Sequence, residues 1–172
     1  DTVSRNLQDI ISITNNILFL QEMDLILPEF RQVEMGKIVM QSVEKLNGKT
    51  TAASVGVKVN IAYGVPETRG DVKSLERAVS AVLDNAVKFS HPSGEVRVDV
   101  VPDPGGVTVV VEDDGVGIPE EALPFIFDRF FHIDKIGDRL FRGAGIGLSI
   151  ARAVIEQHQG YINVKSQLGA GS

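Results

Sequence analysis

Asn85 and Lys88 stand three residues apart in the run Leu83-Asp84-Asn85-Ala86-Val87-Lys88-Phe89-Ser90. On a helix that spacing puts an amide oxygen and an ammonium group on one face. An amide oxygen is a hard, neutral ligand suited to Mg²⁺, which takes its other oxygens from phosphate and water. The compact charge of Lys88 suits the same phosphates. An isolated Asn-x-x-Lys is ordinarily a solvated polar stripe, so the downstream residues carry the argument. Glu112, Asp113 and Asp114 are three adjacent carboxylates. Carboxylates repel a polyphosphate, so at least one must face something else, and the exocyclic amine of adenine is a fitting donor. Alternation from Val109 and Val111 turns Asp113 inward and Asp114 outward, which assigns Asp113 to the base. Gly115 and Gly117 let the backbone turn sharply and approach a flat ring. Gly143, Gly145 and Gly147 then alternate before a helix, where bare backbone amides form a phosphate site. No lysine follows Gly147, so this is neither a Walker loop nor the dinucleotide fingerprint. Separately, these features read as an acidic turn and a flexible connector. Their order and spacing together imply a nucleotide–metal site for ATP and Mg²⁺.

Between the two loops lies Phe125-Ile126-Phe127-Asp128-Arg129-Phe130-Phe131, followed by Lys135, Arg139 and Arg142. Aromatic residues followed by spaced cations suit a mobile flap that closes on a polyanion. Lys88 and Arg142 are the candidates for carrying phosphate charge.

The elements that must hold these residues follow from periodicity. Residues 3–26 read as an amphipathic helix, with Ile10, Ile13, Ile17 and Leu20 spaced 3, 4, 3 and the stripe widened by Leu7, Ile11 and Leu18. So wide a stripe suits a helical bundle or a dimer seam; packing on its own domain is the plainer alternative. Pro28 ends the pattern, and 28–33 reads as a linker. A helix over 34–52 turns Ile38, Val39, Val43 and Leu46 inward, and Val57, Val59 and Ile61 alternate as a strand. Asp71 caps a helix over 72–89 with Leu75, Val79, Val82 and Ala86 on its buried side. Val96–Val100 and Val107–Val111 form an antiparallel hairpin about Pro102–Gly106. A short helix follows Pro119, another spans 145–159 and stops at Gly160, and Tyr161–Gln167 reads as a strand. The expected class is α+β, a two-layer sandwich with a mixed, largely antiparallel sheet and helices on one face, preceded by one long bundle helix.

Composition narrows the partners. A net charge of −6 argues against a general nucleic-acid or anionic-membrane binder. With no cysteine, disulfides, thiolate metal sites and cysteine nucleophiles are excluded. No apolar stretch approaches the ~20 residues of a membrane span, and no signal-peptide pattern opens the chain. A cytoplasmic location is expected, and both ends read as cut.

Taken together, the motifs resemble the catalytic, ATP-binding domain of sensor histidine kinases, within the wider family of gyrase, Hsp90 and MutL ATPases, over residues 34–172. Leu83–Ser90 is similar to that family's N box, Asp113–Pro119 to its G1 box, Phe125–Phe131 to its F box, Gly143–Leu148 to its G2 box and Gly169–Ser172 to its last glycine box. The resemblance makes Asn85 a Mg²⁺ ligand and Lys88 a phosphate contact, and puts Phe89 near the nucleoside. Asp113 would read adenine. Gly115, Gly117, Ile118, Gly143, Gly145, Ile146, Gly147 and Leu148 would shape the pocket, with Arg139 or Arg142 reaching the phosphates from the flap. Residues 1–27 resemble the second helix of the dimerisation and phosphoacceptor hairpin, its first helix absent. The implied partners are ATP, a phosphoacceptor histidine helix, a response regulator and, in the full-length protein, a second copy. Three departures stand out. Ala81 occupies a position where the kinases usually carry asparagine and the ATPases a water-activating glutamate. None of His91, His132 and His158 lies in a phosphoacceptor helix, so turn, flap or capping roles account for them. The family also continues into another strand after its last glycine box, which this chain is expected to lack. A catalytically weak regulatory module and a gyrase-type ATPase are the competing readings; Ala81 motivates the first and disfavours the second.

Overall fold

The computed structural model describes residues 2–25, 28–133, 135–136, 139–140 and 145–172. In order its elements are α1 (Thr2–Leu25), β1 (Arg31–Val33), α2 (Met35–Ala53), β2 (Gly56–Ile61), β3 (Thr68–Gly70), α3 (Val72–Phe89), β4 (Glu95–Asp103) and β5 (Gly106–Asp113). A 3₁₀ helix (Glu120–Phe125), β6 (Lys135–Ile136), β7 (Arg139–Leu140) and α4 (Gly147–Gln157) complete them.

Valines at alternate positions build the sheet. β4 lies at its centre, parallel to β2 with Val57 opposite Val96, and antiparallel to β5 with Val98 opposite Val111. Val96, Val98 and Val100 are wholly buried and face the helical layer, where Val39, Leu46, Leu83, Ile150 and Val154 meet them. The opposite face is polar: Asn60 Nδ2 donates to Asp99 Oδ1 at 2.8 Å, and Glu95 pairs with Lys58 at 2.6 Å and with Arg97 at 3.0 Å. One apolar face and one solvated face are what period-2 alternation demands. The mixed sheet with helices on one side therefore matches the expected class.

α3 begins where Asp71, in extended conformation, accepts the Ser74 N–H on its side chain. That satisfies one of the amides that the first helical turn leaves without a partner. Ser74, Leu75, Ala78, Val79, Leu83, Ala86 and Val87 form its buried face, and Ser90 closes it by donating to Ala86 O through both N–H and Oγ.

α1 divides its wide stripe. Leu20 is buried and Ile13, Phe19 and Met23 pack on the core, while Leu7, Ile10, Ile11 and Leu18 are about half exposed. Docking runs through Arg77 of α3, whose Nη2 donates to Asn15 O at 2.9 Å and to Asn16 Oδ1 at 2.8 Å, with the guanidinium 4.2 Å above the Phe19 ring. The plainer reading, packing on its own domain, holds for the inner side of this helix, and the outer side is left exposed.

Four local expectations need correction. The 28–33 segment is not wholly a linker: Arg31–Val33 pairs antiparallel with Thr68–Gly70, a contact too short and too distant in sequence to leave a local signal. Tyr161–Gln167 makes no ladder, and its one bridge joins Gln167 to Gly171. Its alternation survives, with Ile162, Val164 and Ser166 half buried between exposed neighbours, but a strand also needs an adjacent backbone. α4 starts at Gly147 rather than 145, because Gly145 has φ +65° and cannot be helical. Its reversal falls on Gln159, at φ +60°, one residue before the expected stop.

Candidate functional site

An open cleft of about 1310 Å³ runs between α3, α4 and β5. Asn85, Lys88, Phe89, Asp113, Gly117, Ile118, Gly145, Ile146, Gly147 and Leu148 all line it. Gly115 lies buried just behind the wall. Gly143 and Arg142 lie outside the described residues; Arg139 stands in β7, paired with Ile136 in a two-residue hairpin.

α3 delivers Asn85 and Lys88 from its last two turns. Asn85 is half buried, and the Lys88 ammonium sits 4.8 Å from the centre of the Phe89 ring. The helix end is tied to the acidic loop, since Val116 N–H donates to Phe89 O at 3.1 Å. A Cβ on Gly115 would stand 2.2 Å from that same oxygen, so only glycine fits.

Asp113 ends β5 half buried, while Asp114 is exposed, as the alternation implied. Burial pushes the Asp113 carboxyl above the usual carboxylate range, and the Asp114 charge adds to this; the Gly115 N–H, donating to Oδ1 at 2.9 Å, opposes it. The loop is braced from the C-terminal segment. Asp113 and Ser172 exchange backbone hydrogen bonds of 2.9 and 3.3 Å, and Gly169 N–H reaches Val116 O at 2.7 Å. Ser166 completes the brace: its Oγ accepts Ile118 N–H at 2.8 Å, donates to Gly171 O at 2.7 Å and lies 2.9 Å from Ser172 Oγ. Sequence reasoning missed Ser166, because a serine in an alternating run carries no signal of its own.

α4 opens with Ile146 as N-cap and no side chain on its first amides, which leaves N–H groups and the positive end of the helix dipole for an anion. The aromatic segment is stitched to this loop. Phe130 N–H donates to Gly145 O at 2.9 Å, and a Cβ on Gly145 would lie 2.3 Å from Phe131 O. Phe130 itself is held at φ +66°, a strained backbone for a bulky residue.

Residues 70–172 match the family described as Histidine kinase-, DNA gyrase B-, and HSP90-like ATPase. The chain belongs to that family. It is 33% identical over 144 residues to the signal transduction histidine-protein kinase/phosphatase MprB of Mycobacterium sp. (strain KMS), covering 83% of this chain and 27% of that protein. Over 173 residues it is 26% identical to the sensor histidine kinase RppB of Synechocystis sp. (strain ATCC 27184 / PCC 6803 / Kazusa), covering 99% of this chain and 38% of that protein. The chain thus spans well under half the length of these relatives. Among solved structures, the mycobacterial sensor histidine kinase MprB superposes with a TM-score of 0.64 at 33% identity, covering 77% of this chain and 81% of that one. Full-length ShkA, solved in complex with AMPPNP, superposes at 0.83 with 25% identity over 99% of this chain and 36% of that one.

In this ATP-binding domain of histidine-kinase type, Ala81 is partly buried against the core, and a Cβ added at Gly147 would lie 3.8 Å from its methyl, an ordinary contact. Among the described residues no group of three or more His, Cys, Asp or Glu is placed to hold a metal ion. An amide such as Asn85 fits a cation whose remaining oxygens come from phosphate and water.

Proposed function

We propose that this domain binds Mg²⁺–ATP in the cleft and transfers the γ-phosphoryl group to a histidine on a helix outside this chain. One observation carries the reading: a half-buried carboxyl, an amide, an ammonium group and an uncapped helix N-terminus all border one cleft. Asp113 accepts from the adenine amine, the half-buried Phe89 borders the nucleoside, and Lys88 and the α4 amides take the phosphates. Asn85 would hold Mg²⁺, which when bound supplies charge neutralisation at the phosphate oxygens. The incoming imidazole nitrogen forms the N–P bond as the bond from the γ-phosphorus to its bridging oxygen breaks. ADP leaves with that electron pair, and the imidazole loses its proton to water. No base is required of this domain, whose part is position and charge. Ala81 offers no carboxylate to activate water, which disfavours steady hydrolysis.

In the whole protein, α1 serves as the second helix of a dimerisation and phosphoacceptor hairpin followed by the catalytic domain. A response regulator is the onward acceptor and the cytoplasm the setting. Incubation of the chain with γ-labelled ATP, MgCl₂ and a histidine-bearing helix supplied in trans tests this. Acid-labile phosphohistidine is expected; its absence where ATP binds tightly selects the second reading, a regulatory nucleotide-binding module, which Ala81 favours.

A further inference from the structure

α3 and α4 run in opposite directions: Ala81 meets Gly147 beside the cleft, and Asp71 meets His158 at the far end. His158 Nε2 lies 2.9 Å from the Asp71 backbone nitrogen, and its Nδ1 lies 2.7 Å from Val154 O. A backbone N–H only donates and a carbonyl only accepts, so one species satisfies both contacts, the neutral imidazole carrying its hydrogen on Nδ1. Asp71 in turn caps α3 and takes the Glu29 N–H on Oδ2 at 3.1 Å. Phe30 meets the imidazole edge-on, with ring centres 4.9 Å apart. Gly70 is pressed against the same group, since a Cβ there would lie 3.2 Å from His158 Cδ2 and 2.4 Å from Leu75 Cδ1. The segment arriving from α1, the end of β3, the start of α3 and the end of α4 all converge on one ring.

We propose that His158 is a positioning residue for nucleotide binding: by bridging Val154 O to the Asp71 amide it fixes α3 against α4 and against Glu29–Phe30, and so sets how far Asn85 and Lys88 stand from the α4 N-terminus. This rests on the Mg²⁺–ATP reading above. At ~1.5 Å per residue Asp71 lies about 20 Å from Asn85, so a tilt of about 3° at the pinned end moves that amide by about 1 Å, enough to matter for a charged ligand held at several points. Coupling of this kind is reciprocal, so an occupied cleft must also tighten the bridge.

The test uses the whole chain. His158→Phe keeps a ring against Phe30 but removes both hydrogen bonds; His158→Gln returns an acceptor to the Asp71 amide. In calorimetry with Mg²⁺–ATP, the Phe variant is expected to bind about three- to tenfold more weakly while retaining its circular dichroism, with partial recovery in the Gln variant. Imidazole ¹⁵N shifts of the unsubstituted chain should report hydrogen on Nδ1, and saturating ATP should slow hydrogen exchange at the Asp71 amide. Unchanged affinity in a folded Phe variant, or hydrogen on Nε2, overturns the proposal while leaving ATP binding intact. Should the Phe variant not fold, the exchange measurement decides, and an Asp71 amide indifferent to ATP overturns it. No heat at all from the unsubstituted chain overturns the nucleotide reading, and this proposal with it.

Discussion

Asp113 and Asp71 show one residue type tuned in two directions. The raised carboxyl of Asp113 makes its contribution to stability full below the ordinary carboxylate value and lost as pH rises through the folded one. At neutral pH its ionised form therefore weighs against the empty fold. Asp113→Asn is expected to leave the melting temperature at pH 7 unchanged or higher, yet to weaken ATP by about 10- to 100-fold, because an amide NH₂ turned to the base meets another donor. A parallel loss for GTP would point to general damage instead of a lost base contact. At Asp71 burial pushes the carboxyl up, but N–H bonds from Ser74 and Glu29 outweigh it and hold the group below its usual range. Stability from such a group is present above the unfolded value and lost as pH falls through the folded one. Asp71→Ala should cost about 1 kcal/mol near neutrality. That gap in melting temperature should close in acid; a gap independent of pH would mean that the cap acts by packing alone.

At the scale of elements, close backbone approach governs the site. Gly171 has φ +85°, and a Cβ there would lie 2.0 Å from Asp113 O, so Gly171→Ala must push apart the backbone pair that braces β5. Gly64 has a similar φ, +79°, with nothing within 4 Å, and serves as the control for backbone strain alone. Gly64→Ala is expected to cost about 1 kcal/mol with ATP affinity intact, and Gly171→Ala more than that together with loss of ATP binding. Equal effects in thermal melts and calorimetry would contradict the bracing role. Strain at the end of α4 points the other way. Gln159 occupies a left-handed conformation that glycine adopts freely, so Gln159→Gly should stabilise by up to ~1 kcal/mol in denaturant unfolding.

Across the whole molecule, a single sheet face carries the core, and α1 is held to it by Leu20, Ile13, Phe19 and Met23 together with the Arg77 guanidinium. Burial lowers the Arg77 pKa, with the Glu22 charge partly offsetting this. Its hydrogen bonds go to a carbonyl and an amide oxygen. Arg77→Ala should therefore free α1 without unfolding the sheet, seen as about tenfold faster hydrogen exchange along α1 while β4 stays protected. Uniform acceleration in both would show that α1 and the sheet unfold together. The apolar side of α1 that faces away from the domain, Leu7, Ile10, Ile11 and Leu18, is available to the helical partner of the proposed hairpin.

Much of this was legible in the sequence because the signals are local. A capping Asp71, the 3.6-residue stripe of α3, alternating valines on either side of Pro102–Gly106 and glycines at fixed spacing each dictate their own backbone, and together they indicated the fold class and some of the residues that border the cleft, Asn85, Lys88, Asp113 and Gly117 among them. Alternation also set Asp113 inward and Asp114 outward before any partner was known. What tertiary structure decided depends on contacts between segments far apart in the chain. Arg31–Val33 becomes a strand only because Thr68–Gly70 lies beside it, and Tyr161–Gln167, with a strand's alternation, forms no ladder for want of one. Ser166 and His158 gain their roles from partners 48 and 87 residues away, Ile118 and Asp71. Hydrogen bonds that close such long loops follow from where the folded backbone brings each donor and acceptor, which no local pattern of residue types encodes.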